Sequence, residues 1–250
     1  MDYSKRFSNS SCLVCSFVQA AQAVKPEVIM EVPKAMNIKM FKGFEDIYPE
    51  RIDETDSWYY GQWTPCSEAY EVPDFRNEYP GTRLYFIEFP SGKVFEPIKQ
   101  EKNVFLERPV FERKDNSFGI IRYDFNNQVI QALIFKPECC NVKLLTEIPF
   151  LKAGDMVNVR LITSPFALIK HDVQGDAVDF LWPKEMHIQL EDNEGLYFRD
   201  DRKLYTVKWI EDPDYHEEII IRSAETGEIL ERSPGYLRRV ADGSVWKMTR

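Results

Sequence analysis

The chain has 250 residues, of which 44% are apolar and 14% aromatic, and its formal net charge is −9. This apolar content is sufficient for a sizeable core and excludes a disordered protein. The negative charge argues against nucleic acid as a partner, because binding to a phosphate backbone requires a positive surface. No apolar run of the sequence reaches the length of a membrane span, and we predict none.

The first predicted element covers residues 1–26. Its basic start, its short apolar stretch and its Ala21-Gln22-Ala23 sequence resemble a secretory signal peptide. The alternative is an amphipathic helix, in which Leu13 and Phe17 share one face and Pro26 marks the end. We favour the helix, and with it a cytoplasmic location, and leave export open as the alternative.

Cysteine usage gives a second local prediction. Cys12 and Cys15 form a single CxxC motif without the second pair that a zinc site needs, and Cys139 and Cys140 are adjacent. We therefore predict buried free thiols and no metal site, with a redox or metal role as the alternative.

Residues 27–250 are predicted to form a single all-β domain. Short β-branched and aromatic runs end at turn residues. The runs Ser117–Phe125 and Gln128–Phe135 predict a hairpin whose two-residue turn, Asn126-Asn127, adopts positive φ. The other predicted strands are Val28–Val32, Ile38–Phe41, Ser57–Trp63, Cys66–Val72, Thr82–Phe89, Lys93–Glu96, Val142–Ile148, Met156–Ile162, Ala167–His171, Ala177–Trp182, His187–Leu190, Leu196–Arg199, Lys203–Ile210, Glu218–Ser223, Glu228–Glu231, Tyr236–Val240 and Val245–Met248.

A strand, a short Ser/Thr-Gly turn and a returning strand recur in this domain. Arg83-Leu84-Tyr85 begins a strand that leads to the turn at Ser91-Gly92. Lys203-Leu204-Tyr205 begins one that leads, after an acidic loop and a further strand, to Thr226-Gly227. Asn127 takes the glycine position in a looser third copy. This repeat resembles the blade hairpins of β-propeller proteins, such as the quinoprotein-type and related bacterial repeats, and identifies no specific family.

The resemblance implies sheets packed radially, an arrangement that protects strand edges. At roughly 40–45 residues for a four-stranded blade, residues 27–250 accommodate about five blades. We therefore predict an all-β fold, a β-propeller of about five four-stranded blades preceded by a short N-terminal helix. An antiparallel β-sandwich is the alternative.

Motifs of the common enzyme classes are missing from the sequence. No two glycines lie closer than eight residues, which excludes a phosphate-binding glycine loop, and neither GxSxG nor HExxH occurs. The three histidines of the chain restrict histidine-based catalysis. We predict no catalytic residues and no cofactor.

The strongest candidate site is the acidic segment Glu211–Glu218, which has five carboxylates, one histidine and no Lys or Arg. Such a segment offers oxygen ligands to a hard cation and carboxyl groups for general acid chemistry. Asp212, Asp214 and His216 are its candidate ligand-binding residues. The alternative is a solvated loop between two strands.

A second candidate site is aromatic. Trp58, Tyr60 and Trp63 follow a group of carboxylates, and aromatic faces beside carboxylates commonly hold sugars. Strand alternation puts Trp58 and Tyr60 on one face, so the alternative is that these rings belong to the core. His171-Asp172 is a third candidate, with a hydrogen-bonded structural histidine as the alternative.

Two functions are compatible with these observations. The first is a non-catalytic propeller whose loops bind a glycan, a peptide or a protein partner. The second is a hydrolase or lyase that acts on carbohydrate through loop carboxylates such as Asp212 or Asp214. The scarcity of histidine and the missing catalytic motifs favour binding, and fold alone does not decide.

Overall fold

A computed structural model describes residues 38–172, 174–240 and 242–249. The described residues from Met40 onward belong to one compact unit. The predicted helix over residues 1–26 and the predicted strand Val28–Val32 lie outside the described residues.

Helix is scarce in the described ranges. It is confined to two 3₁₀ segments and one α-helical turn: Ala69–Phe75, Arg113–Asp115 and Phe150–Ala153 (α1). None of these is long and apolar enough to cross a membrane.

Five antiparallel sheets, A to E, follow one another along the described chain. Sheet A contains β1 (Glu50–Arg51), β2 (Trp58–Trp63), β3 (Arg83–Glu88) and β4 (Val94–Phe95). Sheet B contains β5 (Val104–Leu106), β6 (Val110–Glu112), β7 (Ser117–Asp124), β8 (Val129–Lys136) and β9 (Asn141–Pro149). Sheet C contains β10 (Val159–Ile162), β11 (Ala167–His171), β12 (Ala177–Trp182) and β13 (Met186–Gln189). Sheet D contains β14 (Glu194–Asp200), β15 (Lys203–Ile210), β16 (His216–Ser223) and β17 (Ile229–Pro234), and sheet E contains β18 (Tyr236–Arg239) and β19 (Val245–Met248).

Sheet B has an interrupted first strand. Both β5 and β6 pair with β7, and three residues, Glu107 to Pro109, separate them. Proline has no backbone N–H to donate to a ladder, and Pro109 lies at this interruption. In the other sheets, each strand pairs with the next strand in the chain, so the sheets are meanders.

The described residues form four apolar cores, and each core joins two sheets that are consecutive in the chain. The core between sheets A and B is aromatic. Phe86 of β3 lies 4.8 Å from Phe118 and 5.0 Å from Phe135, measured between ring centroids. Trp58 meets Phe118 edge-on at 5.1 Å, a favoured geometry for aromatic pairs.

The other three cores contain more aliphatic side chains. Representative members are Ile121, Leu161 and Leu168 between sheets B and C, Ile169, Val178 and Leu204 between C and D, and Phe198, Ile219 and Leu237 between D and E. A β-sandwich has two sheets that share a single core. The five-sheet arrangement with four cores therefore differs from the sandwich alternative.

Three local predictions are wrong. Ile38–Phe41 forms no strand. Cys66–Val72 does not pair with β2, since it leads into the 3₁₀ segment Ala69–Phe75, whose start is fixed by a reciprocal capping box between Glu68 and Glu71. The thiols of Cys139 and Cys140 are exposed rather than buried, because both residues lie in the turn between β8 and β9.

The turn between β7 and β8 also differs from the prediction. Four residues, 125 to 128, connect the strands, and the positive φ falls on Gln128 at 59° rather than on the asparagines. The carboxylate of Asp124 accepts hydrogen bonds from the backbone N–H groups of Asn126 and Asn127, at 3.0 and 3.1 Å. This side-chain bonding holds the loop without a two-residue hairpin turn.

The copies of the sequence repeat occupy different places in their sheets. Arg83-Leu84-Tyr85 lies on β3, the third strand of sheet A, whereas Lys203-Leu204-Tyr205 lies on β15, the second strand of sheet D. The Ser91-Gly92 and Thr226-Gly227 turns do correspond, since each joins the third strand of its sheet to the fourth. Gly92 and Gly227 have φ values of 76° and 75°.

Candidate ligand-binding cleft

The acidic segment connects β15 to β16 and includes the start of β16. Ile210 and His216 are paired in the ladder, and residues 211–215 link them. Glu211, Asp212 and Asp214 are exposed, and none of them forms an ion pair with a Lys or Arg of the described chain. The negative charge of the segment is therefore largely uncompensated at this end of sheet D.

The remaining polar groups of the segment have close partners. The Tyr215 hydroxyl donates to Glu217 Oε1 at 2.9 Å, and this hydrogen bond raises the pKa of the tyrosine. His216 Nδ1 lies 2.8 Å from the Asp214 carbonyl oxygen, so Nδ1 is the nitrogen that carries the proton and donates it. These contacts fix the course of the segment.

The segment lines a cleft of about 640 Å³. The other lining residues are Pro234 to Tyr236, which lead from β17 into β18, and Met248 and Thr249 at the end of β19. Gly235 permits this approach, because its φ is +113° and a Cβ there would collide with the Met248 carbonyl oxygen. The N–H of Gly235 donates to the Glu217 carbonyl at 2.9 Å, so backbone bonding joins the segment to the β17–β18 connection.

The lining of the cleft is aromatic and acidic. Tyr215 and Tyr236 are 59% and 44% exposed. Asp214 and Glu217 supply carboxylates, and no Lys or Arg is among the lining residues of the described chain. Such a surface repels anions and attracts a cationic group, which gains from both the ring faces and the carboxylates.

The structure brings two of the three predicted residues of the acidic segment to this cleft. Asp214 and His216 line it, whereas Asp212 is exposed beside it and is not among the lining residues. Tyr236 and Met248 were not predicted, because nothing in their local sequence shows that sheet E folds against the segment.

The aromatic candidate site is not confirmed as a surface. Trp58 and Tyr60 are only 5% and 6% exposed, so their faces cannot stack on a ligand. The Tyr60 hydroxyl donates to Glu50 Oε2 at 2.8 Å, and burial, with this bond, raises the pKa of Tyr60 to about 12. Trp63 is half-buried and lines a separate depression of about 330 Å³ beside Arg83.

The third candidate, His171-Asp172, leads from β11 into a turn. Asp172 Oδ1 accepts hydrogen bonds from the backbone N–H groups of Gly175 and Asp176, at 2.5 and 3.0 Å. His171 is half-buried, and burial lowers its pKa, assisted by the charge of Arg160. Among the described residues, no group of three or more His, Cys, Asp or Glu is positioned to hold a metal.

One half-buried carboxyl group was not singled out from the sequence. Glu107 lies in the interruption between β5 and β6, and its N–H donates to the Ile121 carbonyl at 2.9 Å. Burial raises the pKa of Glu107 to about 7, and the charge of Glu68 adds to the shift. A glutamate that interrupts a strand carries no sequence signal for this environment.

Comparisons with known proteins give matches among solved structures. No protein-family model matches the sequence, and no curated protein matches it. Solved structures that match it at low identity include β-propeller proteins. The β-propeller domain of the trilobed protease from Pyrococcus furiosus is 11% identical over 78% of this chain and 60% of its own, with a TM-score of 0.43.

Two further structures belong to the same group of matches. TolB from Acinetobacter baumannii is 10% identical over 80% of this chain and 44% of its own, with a TM-score of 0.40. An oligogalacturonate lyase from Vibrio parahaemolyticus is 11% identical over 80% of this chain and 58% of its own, with a TM-score of 0.42. The chain thus spans 44% to 60% of the length of these three structures.

Proposed function

We propose that the protein is a non-catalytic binding protein of the β-propeller type and that its ligand occupies the cleft beside the acidic segment. The observation that carries the proposal is the cleft itself, about 640 Å³ in volume with two exposed tyrosines and two carboxylates in its lining. This volume and this mixture of ring faces with a few polar groups are typical of ligand sites.

The packing of the sheets supports a propeller arrangement. Four-stranded meanders that pack in chain order, with a core between each consecutive pair, are how propeller blades are built. Arg239 of β18 forms an ion pair with Glu54, which lies between β1 and β2, so the last sheet contacts the first. Arg113 Nη2 donates to the Glu54 carbonyl at 2.6 Å, which adds a contact from sheet B. These contacts support our proposal of about five blades, with the two-stranded sheet E as the fifth; a single domain over residues 27–250 stays a prediction.

The contacts of the segment favour binding over catalysis. Cleavage by a carboxylate pair needs an acid and a base that converge on one bond. Glu217 is held by the Tyr215 hydroxyl, and Glu218 accepts from Arg232 Nη1 at 3.0 Å. Asp214 is left as the cleft-lining carboxylate without a side-chain partner in the described chain.

A thermal-shift screen tests the proposal. The probes are neutral mono- and oligosaccharides, small acids, divalent metal salts, and short synthetic peptides of cationic, anionic and neutral composition. A ligand that binds only the native state raises the Tm, so we expect at least one class to raise it for the unmodified chain. Tyr236→Ala should remove the shift.

The matched control is Tyr70→Ala. Tyr70 is 50% exposed and lies in the 3₁₀ segment Ala69–Phe75, away from the cleft-lining residues. It should keep the shift. A Tm shift that survives Tyr236→Ala, the lack of any shift across the panel, or turnover of the bound compound would each contradict the proposal.

A further inference from the structure

In the part of the chain that the structure describes, sheet E has two strands, whereas the other sheets have four or five. Among the described residues, β18 is the one strand that pairs with β19. Alternate backbone N–H and C=O groups of an edge strand point away from its partner and can pair with another extended chain. Within the described chain, the outer edge of β19 therefore offers a ladder of hydrogen-bonding groups.

This edge is continuous with the cleft. Residues 246 and 248 lie on one face of β19 because side chains alternate along a strand. Trp246 and Met248 are 56% and 41% exposed, and Met248 lines the cleft. Lys247 lies on the opposite face, where its ammonium group is 3.9 Å from Glu231 Oε1. A strand added to β19 would place alternate side chains against Trp246 and Met248, and one of them at the mouth of the cleft.

The negative charge of the cleft favours an added strand that carries a cationic side chain. Asp214 and Glu217 line it, Glu211 and Asp212 lie beside it without ion pairs in the described chain, and the whole chain carries a net charge of −9. A Lys or Arg side chain can lay its aliphatic stem on tyrosine and methionine surface while its charged end meets a carboxylate.

We propose that the edge of β19 and the cleft together bind an extended, Lys- or Arg-containing peptide segment of a partner protein by strand addition. One cationic side chain of that segment enters the cleft near Tyr215, Tyr236 and Asp214. The inference rests on the proposed binding function and specifies its ligand. Main-chain pairing supplies affinity in this mode of recognition, and the side-chain pocket supplies specificity.

Other occupants use fewer of these features. A neutral sugar would use the ring faces and leave the amide edge of β19 unpaired. An anionic ligand would meet Asp214 and Glu217. A second copy of the chain, paired through β19, would bring a second acidic segment towards the first. A cationic extended peptide matches the edge, the rings and the charge together.

The test uses two synthetic decapeptides as probes, alternating Thr-Lys and alternating Thr-Glu, each with a fluorescent label. Anisotropy titrations with the full chain measure their affinities. We expect the lysine peptide to bind at least about tenfold more tightly than the glutamate peptide, since like charges across an interface are strongly disfavoured. Asp214→Asn should weaken its binding about tenfold. Asp74→Asn is the control, because it removes the same charge from an exposed carboxylate of the 3₁₀ segment Ala69–Phe75.

Backbone methylation separates strand addition from simple charge attraction. Two lysine peptides carry N-methyl groups on one or the other alternate set of amides, so that each loses one row of backbone donors. We expect one of them to lose binding and the other to retain it, because successive amides of a strand point in opposite directions. Equal binding by both, or equal losses in Asp214→Asn and Asp74→Asn, would overturn the inference.

Two further outcomes are distinguishable. If a sugar raises the Tm in a Tyr236-dependent manner while the lysine peptide does not bind, the proposed function stands and the peptide inference fails. If the chain forms a dimer in light scattering that Trp246→Ala dissociates, the edge is occupied by a second copy, and the partner assignment is wrong.

Discussion

Glu107 illustrates how a fold changes the chemistry of a single residue. Its carboxyl group lies in the strand interruption of sheet B, where burial raises its pKa from the ordinary 4.5 to about 7. Burial also raises the pKa of Tyr123, and the charge of Glu107 contributes to that shift. The carboxylate form is thus the unfavourable one in the native protein.

The sign of the resulting pH dependence follows from linkage. The folded-state pKa lies above the unfolded value, so the native state binds the proton more tightly, and this contribution to the free energy of unfolding falls as the pH rises from about 4.5 to about 7. Glu107→Gln should remove this fall and, at pH 8, raise the free energy of unfolding by about 1–3 kcal/mol, as one pKa unit corresponds to about 1.4 kcal/mol. Urea unfolding between pH 5 and 8 measures it.

The control for this prediction is Glu225→Gln, which changes an exposed turn residue. It should leave the slope of stability against pH unchanged. Parallel curves for Glu107→Gln and the unmodified chain would show that this carboxyl group does not ionise across the range.

At the scale of the element, turns with a positive-φ residue at the same position occur in three of the sheets. The turns that join the third and fourth strands of sheets A, B and D contain five, four and five residues, and the fourth residue of each has positive φ. Glycine occupies this position at Gly92 and Gly227, whereas Cys140 occupies it in sheet B with a φ of 49°. A side chain with a Cβ is strained there, and glycine is not.

Substitutions at these turns should therefore have opposite effects. Cys140→Gly should raise the free energy of unfolding by about 0.5–1 kcal/mol, because it relieves the left-handed strain. Gly227→Ala should lower it by about 1 kcal/mol or more, since its φ is 75° and the new Cβ would lie 3.1 Å from Ile188 Cγ1. Chemical denaturation measures both. Cys140→Ala controls for loss of the thiol, and stabilisation by Cys140→Ala equal to that by Cys140→Gly would contradict the backbone explanation.

Strands were predictable where apolar and polar residues alternate over enough positions to show a period of two. Ala167–His171, Ala177–Trp182, Lys203–Ile210 and Val245–Met248 have the predicted bounds. The strands β5 and β6 were missed, because three residues each are too short for a period to be recognised. The strand predicted at Cys66–Val72 was wrong because capping by Glu68 and Glu71, a local side-chain effect, outweighed apolar content.

Only those lining residues of the candidate cleft that lie close together in sequence were predictable. Asp214 and His216 are separated by one residue, so both belong to a charged segment that can be recognised in the sequence. Tyr236 and Met248 reach the same cleft only through the packing of sheet E, which no local pattern encodes. Burial of Trp58 and Tyr60 likewise depends on sheet B, whose Phe118 and Phe135 help form the shared core.

The buried ion pair of sheet D could not be predicted from the sequence, because its residues are distant along the chain. Arg222 donates to both oxygens of Glu194, at 2.7 and 2.6 Å, and Thr206 donates to one of them. The three residues lie on three different strands, so only the completed ladder assembles them. These bonds outweigh the burial of Glu194 and lower its pKa.

At the scale of the whole molecule, the sheets are joined by two kinds of contact. Apolar cores join each consecutive pair. The contact between the first and last sheets is polar: Arg239 pairs with Glu54, lies over the Phe198 ring at 4.7 Å and donates its backbone N–H to the Tyr197 hydroxyl at 3.2 Å. The contact between the first and last sheets thus depends on charge, whereas the other junctions depend on hydrophobic burial.

A double-mutant cycle measures this closing contact. The Arg239 and Glu54 side chains are 26% and 18% exposed. Such an ion pair should couple by about 1–2 kcal/mol, since solvent screens it poorly and removal of one charge leaves the other partly buried and unpaired. Arg239→Met, which keeps an aliphatic stem over the Phe198 ring, Glu54→Gln and the double variant complete the cycle, with urea unfolding as the measurement.

The Lys102–Glu78 pair is the matched control. Its side chains are 55% and 78% exposed, and an exposed pair should couple by about 0.5 kcal/mol or less. A larger coupling for Arg239 and Glu54 than for the control pair would show that the last sheet is anchored to the first through this contact. Equal, small couplings would mean that sheet E is held by its core with sheet D alone, and the molecule would then behave as an open row of sheets rather than a closed propeller.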